Sequence, residues 1–266
     1  MKLSIITINY NDAAGLKKTL DSVVAQTYRE FEHIIVDGAS TDGSVDVIRA
    51  HESSLASRLK WISEPDTGIY NAMNKGIKMA TGEYLLFLNS GDSLVDKDVV
   101  KDFILCDNSE DIISGGTLLG YEERIQKFPP EQLTFELFVH DSLMHAATFI
   151  KRILFEKYGL YNENHRIVSD WEFFVKVLIN HNCTYTKIDR LISLFDTTGI
   201  SNQSSHAVLQ ETERNEVINT MMPYLKPVYE ELIEKRKICE EYRFLKAGRL
   251  GWIVRLCLKI KSMKKK

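Results

Sequence analysis

Residues 84–92 read YLLFLNSGD, a continuous apolar run that ends in a short polar turn. Five apolar residues in succession indicate a strand that is covered on both faces, as the strands of a parallel sheet are. The turn carries one acidic side chain, Asp92. Mg²⁺ and Mn²⁺ prefer oxygen ligands, and Mg²⁺ commonly takes one or two carboxylates together with phosphate and water. Asp92 is therefore a candidate metal ligand, and a cap of the following turn is the alternative role.

The segments before this strand alternate between strand and helix patterns. Strand-like runs cover residues 3–8, 31–36 and 59–62, and each is followed by a segment with a helix pattern or helix-capping residues. Such units predict a parallel sheet with right-handed crossovers, in which ligands bind beyond the carboxyl ends of the strands. Polar residues stand at four of these ends, namely Asn9 and Tyr10, Asp37, residues 64–66 and residues 89–92.

The rest of the chain has a less regular pattern. The expected elements are strands at residues 111–114, 147–150, 185–188 and 191–195, a helix at residues 170–180, and helices from residue 205 onward. The four cysteines form no CxxC pair, which argues against a zinc site or a disulfide framework. No signal peptide and no membrane span is expected, so we predict a cytoplasmic protein.

The last 25 residues differ in charge from the rest of the chain. Residues 242–266 contain nine Lys or Arg and no acid, so the total charge of −3 leaves −12 for residues 1–241. Apolar residues at positions 253, 256, 257 and 260 share one helical face. This pattern favours an amphipathic helix, formed by residues 249–266, on the anionic inner face of the plasma membrane. Packing of the apolar stripe on the domain or on another protein chain, including a homo-oligomer, is the alternative.

Five motifs in order carry a resemblance to a known family. They are LSIITINYN at residues 3–11, VDGASTDG at 36–43, ATGEY at 80–84, NSGD at 89–92 and SDWE at 169–172. Together they resemble the motifs of glycosyltransferase family 2, which has the GT-A fold: an α/β architecture with a mostly parallel central sheet flanked by helices. The segment EPDTGIYNAMNKG at residues 64–76 resembles a variant found in members that act in polysaccharide synthesis.

The resemblance implies domain boundaries and an activity. It implies a catalytic domain at residues 1–204, with a donor half of about 1–110 and an acceptor half of about 111–204, and a helical extension at 205–266. The implied activity is transfer of a sugar from a nucleotide-diphosphate sugar, expected to be a UDP-sugar, to a glycan or lipid-linked acceptor. One carboxylate base without a second nucleophile implies a single displacement and inversion at the anomeric carbon.

The resemblance also implies roles for individual residues. Tyr10 would flank the nucleotide base, Asp37 would lie beside the base or ribose, and Asp92 would hold Mg²⁺ or Mn²⁺ against the donor diphosphate. Asp170 would be the general base, and Trp171 could stack on the acceptor or lie in the core. The other residues of the predicted donor site are Asn9, Asp66, Lys75, Ser90 and Gly91. For Asp66 a helix cap, and for Lys75 a solvated helix face, remain the alternatives.

The chain departs from the family pattern at several of these positions. Ile8 and Asn9 replace the usual proline and threonine of the first motif, and Gly38 replaces the second acid of the second motif. Gly91 stands where a second acid of the metal motif would be, so Ser90 or backbone amides are expected to substitute. Asp92 would then share the ion with phosphate and water.

Two other functions fit parts of the pattern. A sugar-phosphate nucleotidyltransferase also combines a parallel sheet with a metal, but its first strand is usually followed by a glycine-rich basic loop. Here residues 9–12 read NYND. A non-catalytic nucleotide-sugar-binding relative would explain Gly38 and Gly91, but retention of Asp92 and Asp170 argues against it. No nucleic-acid partner is expected, because the body of the chain is acidic.

Overall fold

The computed structural model describes residues 2–106, 109–120, 124–197 and 206–247. The strands are β1 Leu3–Asn9, β2 Glu32–Asp37, β3 Leu59–Ser63, β4 Tyr84–Phe87, β5 Ser93–Leu94, β6 Ile112–Leu119, β7 Ile125–Lys127, β8 Thr148–Lys151 and β9 Tyr185–Phe195. The helices are α1 Ala13–Val24, α2 Ser44–Leu55, α3 Ile69–Met79, α4 Val99–Leu105, α5 Phe135–His140, α6 Ile153–Tyr158, α7 Ser169–Phe174, α8 Ala207–Met221 and α9 Lys226–Ala247. A π-helical turn, Val175–Asn180, continues α7, so the predicted helix at residues 170–180 is confirmed.

One sheet runs through the molecule in the order β3-β2-β1-β4-β8-β6-β9-β5, with β7 on β6. Strands β1 to β4 pair in parallel, as the alternating pattern predicted. Antiparallel pairs join β8 to β4 and β6, β5 to β9, and β7 to β6, whereas β6 and β9 are parallel. The two strands predicted at residues 185–188 and 191–195 are one strand, β9, because a register shift near Gly116 of β6 keeps the pair bonded past residues 188–190.

Alternate side chains of the buried strands enter two apolar layers. In β1, Ile6 faces the layer that contains α3, α5, α6, α7, α8 and α9, whereas Leu3 and Ile5 face the layer that contains α1, α2 and α4. This alternation is the two-residue period of a strand buried on both faces. Val217 and Ile218 of α8 belong to the first layer together with Trp171. Helix α8 is therefore packed against the segment that carries Asp170.

The parallel strands end in register. Asn9 pairs with Asp37 across β1 and β2, and Asp37 pairs with Ser63 across β2 and β3. The sheet therefore brings these three residues to one edge, although they are far apart in sequence.

The prediction for the basic tail concerns residues 249–266, which lie outside the described residues. None of the described helices combines the length and the apolar character needed to cross a bilayer.

Candidate active site

A network of hydrogen bonds joins the ends of β1, β2 and β3 around Asp37. Asn9 Nδ2 donates to Asp37 Oδ1 over 2.8 Å, and Ser63 Oγ donates to Asp37 Oδ2 over 2.6 Å. The Ser40 amide and hydroxyl donate to the same carboxylate over 3.0 and 2.6 Å. Burial pushes the pKa of Asp37 upward, but the bonds from Ser40, Ser63 and Asn9 outweigh it and hold the pKa below its usual value. Asp37 is fully buried. It therefore fixes the geometry of this edge of the sheet, and its contact with the nucleotide base stays a prediction.

Tyr10 and Asp66 both lie close to Gly38. Tyr10 is 68% exposed at the end of β1. A Cβ atom at Gly38 would lie 2.6 Å from Asp66 Oδ2 and 3.1 Å from Tyr10 Cδ2. The Asp66 carboxylate therefore stands where a side chain at position 38 would be. Its other oxygen, Oδ1, accepts a bond of 3.0 Å from the Gly68 amide and fixes the turn before α3.

Lys75 is directed at the loop that carries Asp66. Its ammonium group donates to the Pro65 carbonyl over 2.8 Å and forms an ion pair of 2.9 Å with Glu64. These contacts fix residues 64–66 against α3. The predicted contact of Lys75 with the donor diphosphate stays a prediction.

The turn after β4 holds Ser90, Gly91 and Asp92. The Ser90 hydroxyl donates to Asp12 Oδ2 over 3.2 Å, and Gly91 has a φ of +96°, which favours glycine. The Thr19 hydroxyl donates to the Asp92 carbonyl over 2.6 Å. Helix α1 therefore anchors the backbone that positions the Asp92 carboxylate.

Asp92 faces a second carboxylate, that of Asp196. The Asp92 side chain is only 4% exposed, and its Oδ1 accepts the Asp196 amide over 2.8 Å. A Cβ atom at Gly91 would lie 3.0 Å from Asp196 Oδ2. Burial raises the pKa of Asp92 to about 7. The hydrogen bond from the Asp196 amide lowers this pKa, whereas the charge of the Asp196 side chain raises it. A divalent cation would reverse this shift, so the two acids fit a hard metal ion.

The protein alone supplies only part of such a metal shell. Among the residues that the structure describes, no group of three or more His, Cys, Asp or Glu side chains could enclose an ion. A metal at Asp92 would therefore take further oxygen ligands from phosphate or water.

Asp170 lies in the first turn of α7 and is held by Tyr70. The Tyr70 hydroxyl proton is shared between two acceptors, Asp170 Oδ1 at 2.9 Å and the Ile167 carbonyl at 2.7 Å. Burial and the nearby Asp170 charge raise the pKa of Tyr70 well above its usual value, so the phenol stays protonated. Tyr70 thus links α3 to the start of α7.

Glu213 of α8 holds the backbone just before Asp170. Its two carboxylate oxygens accept the amides of residues 166, 167 and 168 over 2.8, 3.1 and 3.2 Å. The side chain is 5% exposed. A carboxylate beside free amides at the start of a helix is favoured by both hydrogen bonding and the helix dipole.

His145 and Trp171 complete the surroundings of Asp170. The His145 ring stacks on Phe87 of β4 at 4.4 Å and bonds the Tyr161 hydroxyl over 2.8 Å. Burial lowers the pKa of His145 to about 4, although Asp170 opposes this, so the ring is neutral. Trp171 is buried and donates to the Phe138 carbonyl over 2.7 Å, so it belongs to the core.

The sequence analysis missed three residues of this site. Asp196 follows the last strand, β9, and its position at a strand end was the available signal. Tyr70 lies inside the recognised EPDTGIYNAMNKG segment, but its contact is 100 residues away along the chain. Glu213 gave no signal, because Glu211 and Glu216 on the same helix have the same chemistry.

Comparison with known proteins identifies the family. The model of "Glycosyl transferase family 2" matches residues 4–167. A PGL/p-HBAD biosynthesis glycosyltransferase of Mycobacterium bovis (strain BCG / Pasteur 1173P2) is 35% identical over 182 residues, which cover 66% of this chain and 70% of that protein. An uncharacterized glycosyltransferase of Mycobacterium tuberculosis (strain ATCC 25618 / H37Rv) is 33% identical over 229 residues, which cover 84% and 86%.

Solved structures share the fold. The crystal structure of S. aureus TarS 1–349 has a TM-score of 0.63 and 20% identity, covering 74% of this chain and 61% of that chain. TarS 1–349 has also been solved with UDP and with UDP-GlcNAc. A mannosyltransferase of Pyrobaculum calidifontis, in complex with GDP-Man and Mn²⁺, has a TM-score of 0.59 and 17% identity, covering 98% and 79%. These likenesses confirm the expected GT-A fold. The chain belongs to glycosyltransferase family 2 and is a glycosyltransferase.

Proposed function

We propose that the enzyme transfers a sugar, with inversion, from a UDP-sugar to a hydroxyl group of a glycan or lipid-linked acceptor in cell-surface polysaccharide or glycolipid synthesis. The observation that carries this proposal is the buried Asp92 carboxylate, which faces Asp196 and whose pKa is raised to about 7 by burial. Positive charge beside Asp92 would stabilise the ionised carboxylate, and a metal-bound diphosphate would supply that charge. The M. bovis relative named for PGL/p-HBAD biosynthesis and the TarS complexes with UDP and UDP-GlcNAc support the acceptor and donor classes.

The donor half, about residues 1–110, binds the nucleotide. Tyr10 flanks the base, and Asp66 contributes the carboxylate that Gly38 lacks. This assignment is supported by the distance of 2.6 Å between Asp66 Oδ2 and the place that a Cβ atom at position 38 would occupy. Asn9 offers its buried Oδ1, which has no hydrogen-bond partner within the described part of the chain. Asp37 fixes these groups in place, and Lys75 contributes positive charge near the loop at residues 64–66.

The turn at residues 89–92 binds the diphosphate. Asp92, with Asp196 beside it, would hold Mg²⁺ or Mn²⁺, while Ser90 and the backbone of Gly91 stand where a second acid would be. When bound, the ion neutralises the charge that grows on the diphosphate. Because the protein supplies so few ligands, metal binding depends on bound nucleotide. Tight Mn²⁺ binding to the nucleotide-free protein in calorimetry would contradict this.

The acceptor half, about residues 111–204, carries the base. The acceptor hydroxyl gives its proton to Asp170 while its oxygen bonds to the anomeric carbon. The bond from that carbon to the phosphate oxygen breaks, and its electron pair leaves with the nucleoside diphosphate. Tyr70 and Glu213 fix the position of Asp170 through hydrogen bonds of 2.7 to 3.2 Å to the side chain or to the preceding backbone. Attack opposite the leaving group gives inversion.

Release of nucleoside diphosphate tests the proposal. A panel of nucleotide sugars is assayed with candidate acceptors, with and without Mn²⁺, for the wild type, Asp92→Ala and Asp170→Asn. We expect Asp170→Asn to lose about 10²–10⁴-fold in turnover and to keep UDP binding. Asp189→Asn, which changes an exposed acid of β9, is the control. Unchanged turnover in Asp170→Asn would remove Asp170 from its role, and no donor-dependent release by the wild type would contradict the proposal.

The helical extension, residues 205–266, is proposed to bring the enzyme to its acceptor. The amphipathic pattern of residues 249–266 fits the inner face of an anionic membrane, where a lipid-linked acceptor is found. Vesicle flotation of the full chain and of a chain ending at residue 248 tests this. Equal flotation of both would contradict it.

A further inference from the structure

Arg214 of α8 has hydrogen-bonding capacity that the protein does not use. Its guanidinium carbon lies 4.8 Å from the centre of the Trp171 ring, and Nη1 makes one long bond, of 3.5 Å, to the Val139 carbonyl. Its Nε is buried and has no hydrogen-bond partner among the residues that the structure describes. An N–H group that is buried without a partner is unfavourable, because it loses its hydrogen bond to water without gaining another.

Among the residues that the structure describes, the Arg214 guanidinium group also forms no ion pair with a carboxylate. Arg152, Arg190 and Arg236 each form an ion pair with a carboxylate. Within the described ranges, no carboxylate oxygen lies within 4.0 Å of a nitrogen of Arg214. Burial lowers the pKa of Arg214, although an arginine stays protonated. A partly buried cation without a partner is unfavourable, and such groups cluster at binding sites.

The position of Arg214 is next to the proposed base. Trp171, on which it stacks, follows Asp170 directly, and the charge of Asp170 acts on Arg214. Two more buried polar atoms without partners in the described residues, His140 Nδ1 and Ser142 Oγ, belong to the segment after Val139. Together with Arg214 Nε they are three of the eight such atoms among the described residues, and they lie on α5, just after it, or on α8, whereas the other five are in residues 9–89.

We infer that Arg214 binds an oxyanion of the acceptor, a phosphate or a carboxylate, beside the hydroxyl group that Asp170 deprotonates. This inference rests on the proposed function, because it takes Asp170 as the base. A guanidinium group matches the geometry of both anions and can bond them through two N–H groups at once. The donor diphosphate is assigned to Asp92 and its metal, which leaves Arg214 for the acceptor.

Chemical modification tests the site without turnover. Phenylglyoxal reacts with accessible guanidinium groups, and mass spectrometry of peptides follows Arg214 and Arg236 separately. We expect inorganic phosphate to slow modification of Arg214 severalfold relative to sodium chloride of equal ionic strength, and to leave Arg236 unchanged. Separate arms with glycerol 3-phosphate and glucuronate distinguish a phosphate-bearing acceptor from a uronic acid. Protection by UDP with Mn²⁺ but not by phosphate, equal protection of both arginines, or no protection at all would overturn the inference.

Kinetics of variants give the second test. For two acceptors that differ only in the anionic group, Arg214→Gln should lower kcat/KM for the charged acceptor about tenfold or more. It should leave the neutral acceptor and the KM of the donor unchanged. Arg214→Lys, which keeps the charge over Trp171, should lose less, and Arg236→Gln should lose nothing. Equal losses with both acceptors would assign Arg214 a structural role and overturn the inference.

The two proposals fail in different ways. If the wild type releases no nucleotide from any donor, the transferase proposal fails, while protection of Arg214 by phosphate still reports an anion site. If transfer occurs and Arg214 is neither protected nor selective, only the anion site fails.

Discussion

Asp37, at the end of β2, and Asp92, in the turn after β4, are both buried carboxylates beyond two parallel strands that flank β1, yet their pKa values move in opposite directions. Four hydrogen bonds from Asn9, Ser40 and Ser63 hold the pKa of Asp37 down, whereas burial raises that of Asp92 to about 7. We call Asn9, Asp37, Ser40 and Ser63 the paired edge, and Asp92, Asp170, Asp196 and Arg214 the charged side.

The two regions therefore have different roles: the paired edge fixes the geometry of the site, and the charged side is suited to binding charged ligands. On the paired edge, donors and acceptors largely satisfy one another, so the protein fixes its geometry before any ligand arrives. On the charged side, Asp92 and Arg214 both have pKa values shifted toward the uncharged form. A ligand of opposite charge relieves both shifts, and this is the electrostatic condition for binding a metal and anions. Four predictions test the contrast, from the largest expected effect to the smallest.

The contribution of Asp92 to the stability of the metal-free enzyme should fall as the pH rises, whereas the buried neutral rings of His33 and His145 act in the opposite direction. The Asp92 pKa is about 7 in the folded state, against an ordinary aspartate value of 3.8 in the unfolded chain, so between these values the folded state binds more protons than the unfolded state. The contribution of Asp92 is therefore greater below pH 4 than above pH 7, by up to about 4 kcal/mol, and it is obtained as the difference between the wild type and Asp92→Asn. Urea unfolding in EDTA at pH 5 and pH 8 measures it, and Asp92→Asn should remove this contribution. Added Mn²⁺ with UDP should restore stability at pH 8. If the free energy of unfolding had the same pH dependence in the wild type and in Asp92→Asn, the raised pKa of Asp92 would be contradicted.

Asp37→Ala should damage the paired edge as a unit. Four hydrogen bonds to a charged acceptor disappear, so the free energy of unfolding should fall by about 3 kcal/mol or more. UDP affinity should fall about tenfold or more, because the loop of residues 38–43 loses its anchor. Urea unfolding and calorimetry measure the two effects, with Asp46→Ala on the exposed face of α2 as the control. Normal stability would show that the paired edge is held by something other than Asp37.

Glu213→Gln should separate positioning of the base from donor binding. Three backbone amides lose a charged acceptor, so stability should fall by about 2 kcal/mol and turnover by about tenfold or more. UDP affinity should not change, since the paired edge is intact. Glu216→Gln on the same helix, which is 65% exposed, should match the wild type in both assays. Equal losses of turnover and UDP affinity would mean that the two regions are not independent.

Much of the paired edge could be predicted from sequence, and much of the charged side could not. Strand periodicity locates Asn9 and Asp37 at strand ends, and parallel pairing brings such ends together. The partner of Asp92, Asp196, and the supports of Asp170 come from segments whose approach depends on tertiary packing. Glu213 is one acid among several on a polar helix, and only the packing of Val217 and Ile218 turns it inward. Burial, which raises the pKa of Asp92, is likewise a property of the folded chain.

The prediction with the smallest expected effect concerns Asp66, whose carboxylate is proposed to replace the acid that is missing at position 38. Gly38→Asp alone should lower UDP affinity about tenfold, because its Cβ would lie 2.6 Å from Asp66 Oδ2. Asp66→Gly alone should cost a similar factor by removing the carboxylate, and Asp66→Asn, which keeps the bond from Gly68, isolates the loss of charge. The double variant Gly38→Asp with Asp66→Gly should recover to within about threefold of the wild type, since a carboxylate again fills the same space. Calorimetry with UDP and Mn²⁺ measures all four variants. If the losses of UDP affinity in the two single variants simply added in the double variant, the two positions would not be interchangeable. The proposed contact between the Asp66 carboxylate and the nucleotide would then be contradicted.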